Sequence, residues 1–415
     1  MKKPTVEGAL LAQKRLAGVA SKTPLQLLGR HSEKFKAAIV TKREDLQQVR
    51  SFKIRGAYNK IQTLTETDRA KGIVCASAGN HAQGFAFSCN SLKIKGTVFM
   101  PVPTPQQKID QVRMFGGDYV NIQLEGDTYD DSHRAAKCFQ NDSGSVFIHP
   151  FDDIDVIEGQ ATIALEILKQ TDKPIDYVFI PVGGGGLISG ILTVFKALSP
   201  NTKIIGVEPS GAPSLQNSLK NKQNIRLKSI DKFVDGAAVK KVGNLCFELC
   251  QDSVDEVILV DEGRICQEIL DLYNKEGIVA EPAGAISIAA LDQYAEQIKG
   301  KEVVTIICGG NNDITRTPEI KERALLYAQL KHYFIVRFPQ RAGALKDFVN
   351  EILGPEDDIT FFEYSQKNTR DSAPAVVGIE LKSAADFGPL VERMKAHNFY
   401  GDYLNQKPDL FQYLI

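Results

Sequence analysis

Lys53 lies in the segment Ser51-Phe52-Lys53-Ile54-Arg55-Gly56-Ala57, between two apolar side chains. A lysine followed two places on by an arginine is ordinarily a solvated face. Enclosed by Phe52 and Ile54, however, an amine loses part of its proton affinity and becomes a nucleophile toward a carbonyl carbon. Both readings stand on this segment alone. A second run is Pro181-Val182-Gly183-Gly184-Gly185-Gly186-Leu187. Consecutive glycines let successive N–H groups converge on one point, and a helix start adds positive potential there, which suits a phosphate. The same glycines equally serve as a tight turn that lets a strand and a helix approach closely. Their spacing departs from G-x-G-x-x-G, because Ile188 stands where the last glycine would be, and no G-x-x-x-x-G-K-[ST] occurs. A third run, Ser77-Ala78-Gly79-Asn80-His81-Ala82-Gln83-Gly84, puts donors at a helix start and could hold a carboxylate. Ser77 or Asn80 acting as a simple N-cap explains it as well, and His81 taken singly reads as a packed helix residue.

These runs need a scaffold that brings them to one edge. From about residue 70 to 310, short β-branched runs alternate with longer helical ones. Strands are expected at 73–76, 96–100, 119–122, 146–149, 177–181, 204–207, 257–260 and 303–308. Amphipathic helices are expected at 106–115, 129–139, 156–169, 263–275 and 283–298. Such alternation indicates an α/β fold with mostly parallel sheets covered on both faces. Ligands in such folds bind at the carboxyl ends of the strands, where the glycine-rich and asparagine-rich turns lie. An imine-forming amine and a glycine cradle on that edge together suggest pyridoxal phosphate. Its aldehyde meets the lysine, its phosphate meets the glycines, and its ring acts as electron sink. Near residue 317 the order changes. A polar helix (319–330) precedes strand 333–338, helix 343–353, strands 359–365 and 376–381, helix 386–397 and strand 400–404. That β-α-β-β-α-β series is the ferredoxin-like signature of a small second domain with no phosphate loop and no obvious nucleophile.

The composition agrees with a soluble globular chain of two or three domains: 415 residues, 43% hydrophobic and 24% charged. Fifty basic residues against 51 acidic ones leave a net charge of −1, which gives no ground for nucleic acid or an anionic membrane as partner. Seven cysteines (75, 89, 138, 246, 250, 266 and 308) include no C-x-x-C pair, as expected of reduced thiols in the cytoplasm and not of a zinc site. The first residues lack the long apolar core of a signal peptide. Residues 177–195 carry no charge, yet Pro181 and four glycines within them speak against a membrane helix.

The Lys53, Asn80 and glycine segments, followed by Cys308-Gly309-Gly310-Asn311, stand in the order and spacing of the fold-type II pyridoxal-phosphate enzymes. Among these the sequence resembles the threonine dehydratases (threonine ammonia-lyases) of the short biosynthetic form. The likeness covers nearly the whole chain, since the tail with Arg341-Ala342-Gly343-Ala344-Leu345 is similar to their single ACT-like regulatory domain. It implies a catalytic domain over 1–316, a linker helix over 317–330 and an ACT-like domain over 331–415. By the same resemblance, Lys53 forms an imine with the cofactor and later moves protons as base and acid. Phe52 packs on one face of the pyridine ring, and Asn80 hydrogen-bonds the ring's 3′-hydroxyl. Gly183, Gly184, Gly185, Gly186 and Leu187 hold the phosphate through main-chain N–H groups. Ser77, Ala78, Gly79, Asn80 and His81 bind the substrate carboxylate. Cys308 stands at the pyridine nitrogen, where the family usually has Ser or Thr; a thiol is a weak donor and acceptor and favours an unprotonated ring nitrogen without enforcing it. Racemases of this fold place a serine base where this chain has Ala78, so elimination is favoured over racemisation. Glu208 follows a strand at a position where related enzymes bind a cation. With Pro213-Ser214 in place of a second acid it reads as a solvated side chain, a monovalent ion being the alternative. Glu281 reads either as facing the pocket or as a first-turn acid complementing a helix dipole.

The implied reaction takes L-threonine through loss of its α-proton and β-hydroxyl to 2-oxobutanoate and ammonia, the first committed step towards isoleucine. Isoleucine is the implied inhibitor, valine an opposing effector, and a homo-oligomer, dimer or tetramer, the implied assembly. Two other readings remain. One is a dehydratase for L-serine or hydroxy-amino acids broadly, since a methyl group discriminates by only ~1–3 kcal/mol in an apolar pocket. The other is an amino-acid sensor with an inert α/β domain, against which the intact Lys53, Asn80 and glycine run argue.

Overall fold

The β-branched runs form parallel strands, as their alternation with amphipathic segments requires. The computed structural model describes residues 2–364 and 372–407, and the chain divides into two units, Met1–Asp313 and Ile314–Ile415. The first unit contains β1 (Leu25–Leu27), β2 (Ala38–Arg43), β3 (Ile73–Ala76), β4 (Gly96–Met100), β5 (Val120–Leu124), β6 (Val146–Phe147), β7 (Tyr177–Pro181), β8 (Lys203–Pro209), β9 (Glu256–Val260) and β10 (Glu302–Ile307). They form two sheets. A small one runs β5-β4-β3-β6 and is parallel throughout. A larger one runs β1-β2-β10-β7-β8-β9 and is parallel except where β1 pairs with β2. Every residue of β3 and β7 is buried, which is why these strands read as unbroken apolar runs rather than alternating ones. The uncharged stretch 177–195 resolves into β7, the glycine turn and the start of the helix Gly186–Leu198. Among the described residues no helix is long and apolar enough to cross a membrane.

The helix Lys53–Thr63 crosses the helix Ile154–Gln170 at a mutual notch. A Cβ on Gly159 would lie 2.6 Å from the Arg55 carbonyl oxygen, and one on Gly56 would lie 2.8 Å from the Val156 carbonyl oxygen. Only glycine lets the two backbones approach so closely. Beside the notch lies a buried charge cluster. Arg55 donates to both oxygens of Glu44 (2.8 and 2.8 Å) and to both oxygens of Glu166 (2.7 and 2.9 Å). Lys42 adds a bond of 2.6 Å to Glu166, and Thr23 one of 2.6 Å to Glu44. Burial by itself would raise the Glu44 carboxyl; Arg55 and then Lys42 outweigh it and hold the group below the usual carboxylate range. Burial also brings the Lys42 amine below its ordinary value, despite Glu166 and Glu44.

In the second unit β11 (Lys331–Pro339), β12 (Asp358–Tyr364), β13 (Ser372–Glu380) and β14 (Tyr400–Tyr403) form an antiparallel sheet in the order β12-β13-β11-β14. That is the ferredoxin-like order. Ser365, the last residue of the expected strand 359–365, lies outside the described residues. Phe334, Val336 and Phe338 of β11, spaced by two, meet Phe348, Ile352, Leu390 and Met394 from the two helical segments in one core. The expected helix 343–353 is an α-helical turn, Ala344–Asp347, followed by a π-helical one, Phe348–Ile352. The helix Thr317–Tyr327 groups with this unit, where Glu322 accepts from the Tyr333 hydroxyl at 2.6 Å.

Removing one partner from a buried ion cluster strands the other charges. Arg55→Ala is therefore expected to destabilise the first unit by about 3–5 kcal/mol in denaturant unfolding. Lys299→Ala, whose ion pair with Glu296 is exposed, should leave the midpoint where it is. Because Glu44 is held low, its contribution is present at neutral pH and is lost as pH falls below the ordinary carboxylate range through its depressed value.

Candidate active site

Lys53 begins its helix because the preceding segment is tied to the end of β10. Phe52 N–H donates to the Cys308 carbonyl (3.1 Å), Gly310 N–H donates to the Arg50 carbonyl (2.9 Å), and Ser51 bridges Gly309 between them. This two-bond clasp carries Lys53 to the thiol of Cys308. From the other side the helix Asn80–Leu92 comes close at Gly84, where a Cβ would lie 3.0 Å from the Lys53 carbonyl carbon. Lys53 Nζ donates to the Pro150 carbonyl at 2.9 Å and sits 5.2 Å from the centre of the Phe52 ring. Burial pushes its amine down to about 8, while Cys308, Cys246 and Glu281 pull it back up.

Several helices start without a side-chain cap, among them the two that follow Gly79 and Gly185. Elsewhere Thr5, Thr65, Thr128, Asp153 and Asp261 cap the helices they precede. Helix Asn244–Ser253 borrows Asp152, which accepts from the N–H groups of Asn244, Leu245 and Cys246. By contrast, Gly185 precedes the helix Gly186–Leu198, and Gly79 precedes Asn80–Leu92, with no side-chain cap at either. The first N–H groups of a helix need acceptors, and an uncapped start in a cleft is an anion site. The glycine loop also answers to packing. A Cβ on Gly184 would lie 2.2 Å from the Phe151 ring, and Gly185 holds φ at +95° against Cys246. The close turn and the uncapped helix start are thus one object here. The cleft is lined by Phe52, Lys53, Gly183–186, Leu187 and Cys308 together, so the structure gathers these expected residues in one place.

The third run, Ser77 to His81, does not line this cleft; its Asn80 Nδ2 donates to Glu281 Oε1 at 2.7 Å. Glu281 is buried and acts electrostatically on Lys53 and Cys308 without lining the cleft. Burial and then Asp235 push its carboxyl up to about 7, against the lowering effects of Asn80 and Lys108. Ser77 Oγ accepts from Gly79 N–H at 3.2 Å, folding the loop on itself ahead of the helix. The His81 ring turns away: Nε2 meets the Ile148 carbonyl at 3.1 Å, so this nitrogen carries the hydrogen, and burial pushes the ring's basicity down to about 3. His81 is a neutral packed residue, and only its backbone N–H remains for a ligand. Ala78 offers no hydroxyl. The Cys308 thiol donates to the Ala283 carbonyl (3.3 Å), and burial raises it well above its ordinary value, so it is neutral.

One expectation is corrected. Glu208 is not solvated: it is buried, and its carboxylate accepts from Leu215 N–H (2.7 Å) and Gln216 N–H (2.9 Å), closing the N-terminus of the helix Ser214–Lys220. The sequence reading missed this because the capping residue sits on the preceding strand instead of at the N-cap position, which is Pro213. Asn311 was also passed over as a functional side chain, though it stood in the quoted glycine motif.

The donor set fits pyridoxal phosphate: a dry amine for its aldehyde, an uncapped helix start behind four glycines for its phosphate, an aromatic face at Phe52, and an amide at Asn80. Residues 16–309 match the family of pyridoxal-phosphate dependent enzymes, and residues 322–414 match the C-terminal regulatory domain of threonine dehydratase. The chain is 51% identical over 415 residues to a biosynthetic L-threonine dehydratase of Halalkalibacterium halodurans, covering 100% of both. Among solved structures it is similar to the processed form of threonine deaminase isoform 2 from Solanum lycopersicum, with a TM-score of 0.73, 41% identity and coverage of 78% of this chain and 91% of that one. It is also similar to maize serine racemase, with a TM-score of 0.72, 30% identity and coverage of 79% and 99%. With a fold-type II catalytic unit ahead of a ferredoxin-like one, the chain belongs to the pyridoxal-phosphate dependent enzymes and, within them, to the biosynthetic threonine dehydratases.

Proposed function

We propose that this protein eliminates water from L-threonine to give 2-oxobutanoate and ammonia, the committed step towards isoleucine, with pyridoxal phosphate as its cofactor. The observation that carries the reading is Lys53 itself, an amine brought to about 8 by burial in a cleft that the four glycines, Phe52 and Cys308 also line. When bound, pyridoxal phosphate supplies an aldehyde for an amine and a ring that delocalises the electron pair left by the departing α-proton. The N–H groups of Gly183 to Leu187 hold its phosphate, Phe52 covers one face of its ring, and Asn80 meets its ring oxygen. Ser77 to His81 hold the substrate carboxylate with backbone N–H groups at the start of the helix Asn80–Leu92. Lys53 Nζ takes the α-proton and later returns one, a task suited to an amine near the middle of its titration at mild pH. The β-hydroxyl departs with a proton as water, and hydrolysis of the released enamine gives the keto acid and ammonia. Ala78 has no hydroxyl to return a proton on the far face, so elimination prevails over racemisation despite the likeness to a racemase. L-Serine fits the same groups as a poorer substrate, short of one methyl group worth ~1–3 kcal/mol.

The second unit serves control by isoleucine and valine. Its edge strand β12 leaves Phe362 and Tyr364 exposed, and an unpaired edge with apolar side chains supports side-by-side pairing in a homo-oligomer, a dimer or tetramer. Free cysteines, six of them buried, support a reducing cytoplasmic setting.

Purified protein given pyridoxal phosphate and L-threonine should produce 2-oxobutanoate, and Lys53→Ala should abolish both turnover and the visible absorption of covalently held cofactor. A wild-type protein that stays colourless with added cofactor overturns the enzyme reading, and turnover of serine alone would change the substrate. The uptake rate of pyridoxal phosphate by cofactor-free protein should rise with pH through about 8 and level off above it, because the unprotonated amine is the nucleophile. A rate flat from pH 6 to 9 would contradict the lowered amine. In the second unit Arg341 is exposed at the turn before Ala344, bonded to Asp347 at 2.6 Å. Arg341→Ala should relieve isoleucine inhibition without changing uninhibited turnover; undiminished inhibition removes it from the effector site.

A further inference from the structure

Val49, Asn311, Asn80 and Glu281, from four separate parts of the chain, form one directed hydrogen-bond series. Asn311 Nδ2 donates to the Val49 carbonyl at 2.9 Å and to Asn80 Oδ1 at 2.7 Å. Asn80 Nδ2 donates in turn to Glu281 Oε1 at 2.7 Å. The direction follows from what each atom can do. A backbone carbonyl only accepts, so the Asn311 atom facing Val49 is its amide nitrogen. That same nitrogen faces Asn80, so the facing atom of Asn80 is oxygen. Turning the Asn311 amide over would set oxygen against oxygen at Val49. Turning Asn80 over would set nitrogen against nitrogen between the two amides and oxygen against a carboxylate oxygen at Glu281. The Val49 carbonyl therefore decides which way Asn80 points, two side chains away.

Two further observations mark this as more than packing. The buried Asn311 Oδ1 has no partner among the described residues, so the side chain makes its two donated bonds while leaving its own oxygen unsatisfied. Gly309, two residues earlier, clears space for the pair: a Cβ there would lie 2.4 Å from Glu281 Oε1 and 3.2 Å from Asn80 Nδ2. The segment carrying Gly309 is also the one clasped to the residues before Lys53.

Resting on the reading of Asn80 as a cofactor contact, we propose that Asn311 is a positioning residue that locks the Asn80 amide so that Asn80 meets the cofactor's ring oxygen as a hydrogen-bond donor. One N–H of Asn80 Nδ2 goes to Glu281, and the second is the one left for a ligand. A donor at that oxygen favours its deprotonated form and discriminates against an amide presented the other way round. Asn311 acts only through Asn80.

A double-mutant cycle tests this. Pyridoxal phosphate is titrated into the cofactor-free full chain of wild type, Asn80→Ala, Asn311→Ala, Asn311→Asp and the Asn80→Ala/Asn311→Ala double variant. The dissociation constant and the visible absorption maximum of the bound cofactor are read for each. Asn311→Asp keeps the shape but loses both donated bonds, and it carries the comparison if Asn311→Ala does not fold. Either change at Asn311 should weaken binding roughly fivefold to thirtyfold and move the absorption maximum in the direction that Asn80→Ala moves it. In the Asn80→Ala background, Asn311→Ala should change binding by less than about twofold. Equal losses in both backgrounds, or no loss on changing Asn311 where Asn80→Ala does weaken binding, overturn the positioning role alone. An Asn80→Ala protein that binds with wild-type affinity and spectrum overturns the Asn80 contact, and the positioning role with it.

Discussion

An amine that must shed its proton near neutrality stands two residues from a guanidinium that never does. Two positions along a helix turn a side chain by about 200°, so Lys53 and Arg55 leave opposite sides of the same first turn. On the far side Arg55 is met by the carboxylates of Glu44 and Glu166, with Lys42 completing a group of two cations and two anions. A buried cluster of this kind contributes little net stability compared with apolar residues of the same volume. What it supplies is definition. Bidentate bonds in two directions leave Arg55 one orientation, and the glycine notch beside it leaves the two helices one crossing. The depth and direction in which Lys53 enters the cleft follow from both.

With the charges of Arg55, Glu44 and Glu166 paired behind the helix, the groups around the cleft are two that stay uncharged and two that titrate near neutrality. His81 is held unprotonated against a carbonyl, and Cys308 keeps its hydrogen against another. Glu281 and Lys53 titrate within about a unit of each other, at about 7 and about 8. The backbone N–H groups at the helix starts do not titrate in this range, so what they offer an anion does not change with pH. Desolvation strengthens such dipoles without the cost of burying a side-chain cation. It is the same dryness that lowers the lysine, so ligand binding and amine activation draw on one property of the cleft.

Much of this was legible in the sequence where local pattern and tertiary role coincide. β3, β4 and β7 match the expected runs residue for residue because they are buried on both faces and bounded by turns. β2 was overlooked because Lys42 and Arg43 lie in it; both are buried, Arg43 against Asp45 two residues on, and Lys42 against Glu166, which comes from a helix that no local window connects to the strand. The expected helix 283–298 ends as an α-helix at Ala289 and continues as the 3₁₀ segment Ala290–Tyr294. At the site, Lys53 and the glycine loop announce themselves through composition. The Asn80–Glu281–Asn311 association does not, since its members are about 200 and 30 residues apart and polar residues beside glycine look like turn chemistry wherever they occur. Glu208 was misread for the same reason, an acid whose acceptor role depends on where another helix happens to begin.

Helices of both units begin without a side-chain cap, and what that leaves open differs between the units. In the second, the helix Phe387–Ala396 follows the Ser383 turn and its core face, Leu390 and Met394, packs on β11 and β13, so its work is done by apolar side chains. In the first, the helices Asn80–Leu92 and Gly186–Leu198 are equally well packed along their length, yet their first turns lack the side-chain oxygen that Thr5, Thr128 or Asp261 provides to others. Both N-caps are glycine, so the missing side-chain bond costs such a helix only roughly a few tenths of a kcal/mol. A serine at Gly79, where a Cβ would meet nothing within 4 Å, would set an oxygen in competition for the helix's first N–H groups. At Gly185 the φ of +95° and the Cys246 Cβ at 2.7 Å oppose it. N–H groups without a side-chain cap at these helix starts are open to an anion, and any anion that binds only the folded cleft would stabilise it.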